Sequence, residues 1–198
     1  MTAMRKTSAF AAVLIAALGL AACQAATPTD KLPEMTFRHL APIPLAVSNI
    51  QIESQVPASS DPNNVAHLFP TPPEQALRAW ARDRLVARGS GGTARFVIKR
   101  ADAVRSSLQT DKGVTGLFKK ELSDRYEGHI EAELSLVNAA GTRRAFVEGR
   151  ADHAATVRED ATLAERRRLM YELVERLMAD FNAEIERNIN THLREFRM

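Results

Sequence analysis

A small α+β domain is predicted for this 198-residue chain, with a four-stranded mixed sheet covered on one face by two helices in the order β-α-β-β-β-α. Three features predict it. Residues 126–137 alternate apolar and polar side chains without a break, the pattern of a half-buried strand. Residues 162–193 carry apolar side chains at helical spacing behind a Thr and a Glu three positions apart, the pattern of a long amphipathic helix with a capped start. Between residues 45 and 104, two alternating runs flank a helical one, a crossover whose two strands are parallel if they pair.

The chain opens with Arg5 and Lys6 as a basic region, followed by an apolar run from Phe10 to Leu20 and a close of small residues. An apolar run of about eleven residues is too short to cross a hydrocarbon core of roughly 30 Å, which takes about twenty helical residues. It is read as an export signal. The residues that end it, Leu20-Ala21-Ala22-Cys23, resemble the lipobox of bacterial lipoproteins. That resemblance implies a signal peptide of residues 1–22, cleavage before Cys23, and acylation of Cys23 on sulfur and amine by chains such as palmitate.

Cys23 is the only cysteine, so an exported form has no internal disulfide to make. Several acyl chains, at about 0.8 kcal/mol per buried methylene, make a durable membrane anchor. Gln24 follows the cysteine where an Asp would hold the protein back under the sorting rule of enteric bacteria. The resemblance therefore implies the outer membrane with the body on its periplasmic face, the alternative being the periplasmic face of the inner membrane. Removing residues 1–22 takes away Arg5 and Lys6 and no acid, so 27 basic residues become 25 against 24 acidic ones. A nearly neutral body does not point to nucleic acid.

Residues 23–44, with Pro28, Pro33, Pro42 and Pro44 and no periodicity, are read as the lipidated cysteine and a flexible tether. The globular domain is expected over 45–198. Its first strand spans residues 45–56, with Ile50, Ile52 and Val56 on one face. Thr71 and Glu74 have capping-box spacing around Pro72 and Pro73, so a helix is expected from there to about Arg88, with Leu77, Trp80, Ala81 and Leu85 inward. Residues 89–92, Gly-Ser-Gly-Gly, stop it, and residues 93–104 form the second strand.

Residues 105–122 have no clear pattern. In the next strand Tyr126, Gly128, Ile130, Ala132, Leu134 and Leu136 share the inner face, and residues 138–141 turn the chain into a return strand over 142–157. The closing helix, about 32 residues and roughly 48 Å long, is expected to outrun strands of ten to twelve residues, roughly 35 to 40 Å.

No catalytic constellation or metal-ligand spacing is legible, and no cofactor is implied. Five histidines stand in different segments. His129, Glu131 and Glu133 share one strand face, which suits a metal or a proton transfer, but a solvated hairpin face accounts for the same alternation. Residues 89–92 lack the Gly-Lys-Ser/Thr and following helix of a phosphate loop.

Two groupings are candidates for binding. Arg78 and Arg82 on the first helix and Arg167 at the start of the second suit the phosphates of an anionic lipid or glycolipid, or are simply solvated helix faces. Phe181, Ile185, Ile189, Leu193 and Phe196 form an apolar stripe at the end of the long helix. Either it is left for a protein partner or the tether or residues 105–122 fold over it.

The order of elements, the anchor and the long closing helix resemble periplasm-facing accessory lipoproteins, including the lipopolysaccharide-assembly lipoprotein and the auxiliary lipoproteins of ABC lipid transporters. The resemblance is one of architecture and carries over no functional residue. It implies a non-enzymatic protein that docks to an envelope complex, in lipid or polysaccharide transport or assembly.

Overall fold

The computed structural model describes residues 32–108 and 122–198. The expected signal peptide, Cys23 and the first part of the expected tether lie outside the described residues. The elements, in chain order, are β1 (Ile43–Leu45), β2 (Asn49–Ser54), α1 (Pro73–Arg84), β3 (Leu85–Ala87), β4 (Thr93–Ser107), β5 (Leu122–Val137), β6 (Arg143–Arg158) and α2 (Leu163–His192). Single 3-10 turns occupy Ala66–Leu68 and Arg194–Phe196. No helix among the described residues is long and apolar enough to cross a membrane.

The main sheet has the order β2-β4-β5-β6, parallel between β2 and β4 and antiparallel elsewhere. This is the mixed α+β sheet that the periodicity predicts, including the parallel crossover pair. Alternation places Ala94, Phe96 and Ile98 of β4, Tyr126, Ile130, Ala132, Leu134 and Leu136 of β5, and Val147 and Ala151 of β6 in the core. A bulge between Ile98 and Arg100 re-phases β4, so that Ala101 and Ala103 also point inward. Both helices pack on that face. The Trp80 ring of α1 lies 5.5 Å from Phe96 and 5.3 Å, edge-on, from Phe181 of α2.

Two glycines set how closely α2 approaches. A Cβ on Gly149 would fall 2.8 Å from the Ile185 Cβ and 2.9 Å from Phe181 Cε2, and one on Gly128 would fall 2.6 Å from Leu177 Cδ1. The helix therefore rests almost on the backbone of β5 and β6. Its start is as predicted: Thr162 accepts from the Glu165 amide while the Glu165 carboxylate accepts from the Thr162 amide.

The first helix departs from its predicted cap and end. Its N-cap is Pro72, without a side-chain cap, and Glu74 instead accepts from Arg78 across one turn. It stops at Arg84 because Leu85 turns extended and pairs, as β3, in parallel with β1.

The tether boundary is corrected by the same pairing. Within residues 32–44, Met35, Phe37 and Ile43 are buried, and the Phe37 amide donates to Asp83 Oδ2 at 2.8 Å. This segment is a strap on the domain, because its few apolar side chains find the flank of α1 and α2. β1 is then closed on its other side by the C-terminus. The Ala46 amide donates to the Phe196 carbonyl at 2.8 Å, and Leu45 bridges to Arg197.

Two stability outcomes follow from these contacts. Gly149→Ala has no room beside a helix backbone-proximal Cβ and should cost about 1–3 kcal/mol, whereas Gly91→Ala, with nothing within 4 Å, should leave the urea midpoint nearly unchanged. Phe37→Ala should cost about 3 kcal/mol if the strap belongs to the core. A change below about 0.5 kcal/mol, the scale of surface substitutions, would return residues 32–44 to a tether.

Candidate docking surfaces

The apolar stripe at the end of α2 is not free. Phe181, Ile185, Ile189 and Leu193 are buried and Phe196 packs half-buried against the core, which corrects the expectation of a surface left for a partner there. Its reason is partly length. β5 and β6 have 16 residues each, about 53 Å at strand rise, against about 45 Å for the 30 residues of α2. The helix does not outrun the sheet, and the strap and C-terminal turn close what remains.

The arginines are not gathered into one cradle. Arg78 is held by Glu74 at 2.9 Å, while Arg82 and Arg167 are exposed on different helices. The end of α1 sits beside Asn182, which accepts from Trp80 Nε1 at 2.8 Å and Arg84 Nη1 at 3.0 Å. Arg167 is about 15 residues up α2 from that point, roughly 22 Å along its axis. Arg84 is no surface residue at all. Its side chain is buried, donates to Glu186 at 3.1 Å and lies 6.0 Å from the Trp80 ring, joining the two helices. Arg166 and Arg168 are engaged by Asp124 and Glu172.

The two histidines of the β5–β6 hairpin are likewise absorbed into pairs. His129 Nδ1 meets Asp152 at 2.5 Å and His153 Nε2 meets Asp180 at 2.7 Å, both at exposed positions. Glu133 is occupied by Lys99 and Arg143, and no group of three or more potential ligands that could hold a metal ion occurs among the described residues.

Among the described residues, the outer face of the sheet and the outer edge of β6 carry no covering segment. On the outer face, Glu133 and Glu148 stand directly opposite each other in β5 and β6, a like-charge pair that alone is unfavourable. The bulge in β4 aims Lys99 between them, 2.8 Å from Glu133 and 2.7 Å from Glu148. Arg143 adds a second cation to Glu133 at 2.9 Å, and its guanidinium stacks 3.8 Å above the ring of Phe146. Phe146 is 46% exposed on this face. Its signal was legible: Ala145, Val147 and Gly149 point inward, so a phenylalanine at 146 breaks the polar phase of the outer face. Arg95 and Glu53 continue the row at 2.9 Å toward β2.

The two edges of the sheet differ. On the β2 side the edge strand has only 6 residues, and the length of β4 beyond it is paired with the loop before α1: the Val65 amide donates to the Ala103 carbonyl and the Arg105 amide to the Asn63 carbonyl. On the β6 side, Asn188 Nδ2 donates to the Glu148 carbonyl at 2.8 Å, and only near the strand's end does Arg166 reach the Arg158 carbonyl. Backbone groups alternate in an antiparallel pair, so the even-numbered residues from 146 to 156 turn their N–H and C=O outward.

No protein family matches the chain, and no curated protein matches it. Among solved structures it is similar to rare lipoprotein B from Shewanella oneidensis, with 13% identity over 72% of this chain and 95% of that one and a TM-score of 0.34. It is also similar to a minor lipoprotein from Acinetobacter baumannii, with 13% identity over 71% of this chain and 94% of that one and a TM-score of 0.31. Likeness at this level leaves the role of the chain to its own residues.

Hydrogen bonds to Glu133 and Glu148 raise the Lys99 pKa above its ordinary 10.5. A raised cationic pKa stabilises the fold below 10.5 and loses that contribution as pH climbs through the folded value. Lys99→Met should therefore cost about 1 kcal/mol at neutral pH for a partly solvated network and flatten the alkaline limb of a stability-against-pH curve. Ile185→Arg should unfold the domain, as circular dichroism and proteolysis would show. A folded Ile185→Arg protein would mean that the stripe is accessible after all.

Proposed function

We propose that this chain is a lipid-anchored, non-enzymatic accessory protein of the bacterial envelope that docks to a protein complex engaged in lipid or polysaccharide transport or assembly. The observation that carries the reading is the leader: a basic start, a short apolar run and Leu20-Ala21-Ala22-Cys23, with the only cysteine of the chain at the lipidation position. Gln24 favours the outer membrane, facing the periplasm, over the inner membrane.

The body supports a docking role in a second way. Its helical face is consumed by the core and the strap, while the sheet keeps one broad face of cross-strand ion pairs around an exposed aromatic ring. Mixed charge with a stacked Arg-Phe pair suits a protein surface, since arginine and aromatic residues are enriched at interfaces. An anionic-lipid reading has weaker support, because Arg78 is already paired and Arg82 and Arg167 are far apart.

The test is fractionation together with crosslinking in intact cells. Cys23→Ser should move the protein from the membrane to the soluble fraction of the exported pool. A photocrosslinker at Phe146 in the anchored protein should couple to one discrete envelope protein. If Cys23→Ser stays in the membrane, the anchor reading falls; if crosslinks from Phe146 reach only lipid, the docking reading falls.

A further inference from the structure

We infer that the outer edge of β6, which has no strand beside it among the described residues, is a strand-addition site, which takes an extended segment of a partner protein with basic residues at alternate positions. The inference rests on the docking reading and names its surface. β6 runs in unbroken register with β5 from Ala145 to Val157, without a proline or a bulge, and its even-numbered N–H and C=O groups face outward. Edges of this kind are templates for another strand unless proline, a bulge, short length, charged side chains or a covering segment blocks them, and here the Glu148 and Asp152 charges are drawn inward by Lys99 and His129. The opposite edge of this sheet has two such protections, a short edge strand and a covering loop. The β6 edge has Asn188 over a single carbonyl and an arginine at its end.

The occupant is narrowed by what stands over the edge. α2 packs chiefly above β6, with Asp180 at His153 and Asn188 at Glu148 reaching the edge itself. Strands add at about 4.8 Å. A second copy joined edge to edge about a two-fold axis would turn its own α2 flank, with the same Asp180 and Glu184, toward this one, like charge against like. A strand with no helix above it is free of that repulsion.

Its charge is set by the helix flank. Asp180, Glu184 and Asn188 recur at four-residue spacing on the side of α2 nearest the edge, and Glu184 has no partner among the described residues. An incoming strand turns alternate side chains toward that row. Lysine or arginine there meets two carboxylates, and small apolar residues between them suit the side of the exposed Ala154 and the half-buried Thr156.

The experiment is hydrogen exchange on the full mature protein in detergent, with an alternating Lys-Val peptide of about eight residues as probe, a typical strand length, and alternating Glu-Val as control. The Lys-Val peptide should slow exchange at the amides of Arg150, Asp152 and Ala154 and bind at least about tenfold more tightly than Glu-Val. Ala154→Pro removes an outward N–H while sparing the ladder to β5 and should abolish that protection. Glu184→Lys, on the helix surface, should remove the preference for the basic peptide.

Absent protection, equal binding to Ala154→Pro, or protection confined to α2 would each overturn the site. So would sedimentation as a dimer whose β6 amides are protected without peptide. In cells, a crosslinked envelope partner that is retained equally by Ala154→Pro overturns the edge and leaves docking standing, whereas no partner for the native protein overturns docking itself.

Discussion

The close seating of α2 on β5 and β6 is the constraint from which the rest of this structure follows. Two glycines, Gly128 and Gly149, remove the side chains that would hold the helix away. Leu173, Leu177, Phe181 and Ile185 then reach the sheet at backbone distance and bury completely or nearly so. With the helix this low, Trp80 can touch both Phe96 and Phe181, so that α1 and α2 share one core over one sheet face. The polar join made by Arg84, Asn182 and Glu186 is possible because the two helices meet there, and it orients α1 rather than supplying the bulk of the stability.

The same seating divides the surface of the molecule. One face of the sheet is used up, and the flank of the helices is closed by the strap, which enters through Met35 and Phe37 and leaves through β1 between β3 and the C-terminus. What remains is a face whose charges satisfy one another. Lys99 is the pivot, since two carboxylates would otherwise confront each other across β5 and β6. Such a face is soluble without being inert, because the Arg143–Phe146 stack and the β6 edge remain available at its border.

Function is carried by different parts of the chain. On the proposed reading, the leader-like start and Cys23 bear on where the protein resides, and the described body on what it would present there. A small domain held by a lipid near a membrane needs only modest intrinsic affinity for a neighbour, because tethering raises the effective concentration. On that reading, ion pairs and a strand edge would supply interactions of that strength, with directionality that makes them selective.

Local pattern was enough to determine the strand alternation of β5 and the capped start of α2, since each depends on residues within a few positions of one another. The apolar stripe from Phe181 to Phe196 was equally visible, but its exposure was not a local property. Whether it met solvent depended on the true lengths of β5 and β6 and on a strap more than a hundred residues away. Arg84 lies on the same helix as the exposed Arg82, and it is buried only because α2 comes to lie beside it. The polar outer face was visible in the alternation, but the place of β6 at the edge of the sheet was decided by tertiary structure alone. Periodicity tells which side of a strand is apolar, whereas which strand ends a sheet depends on how distant segments pair.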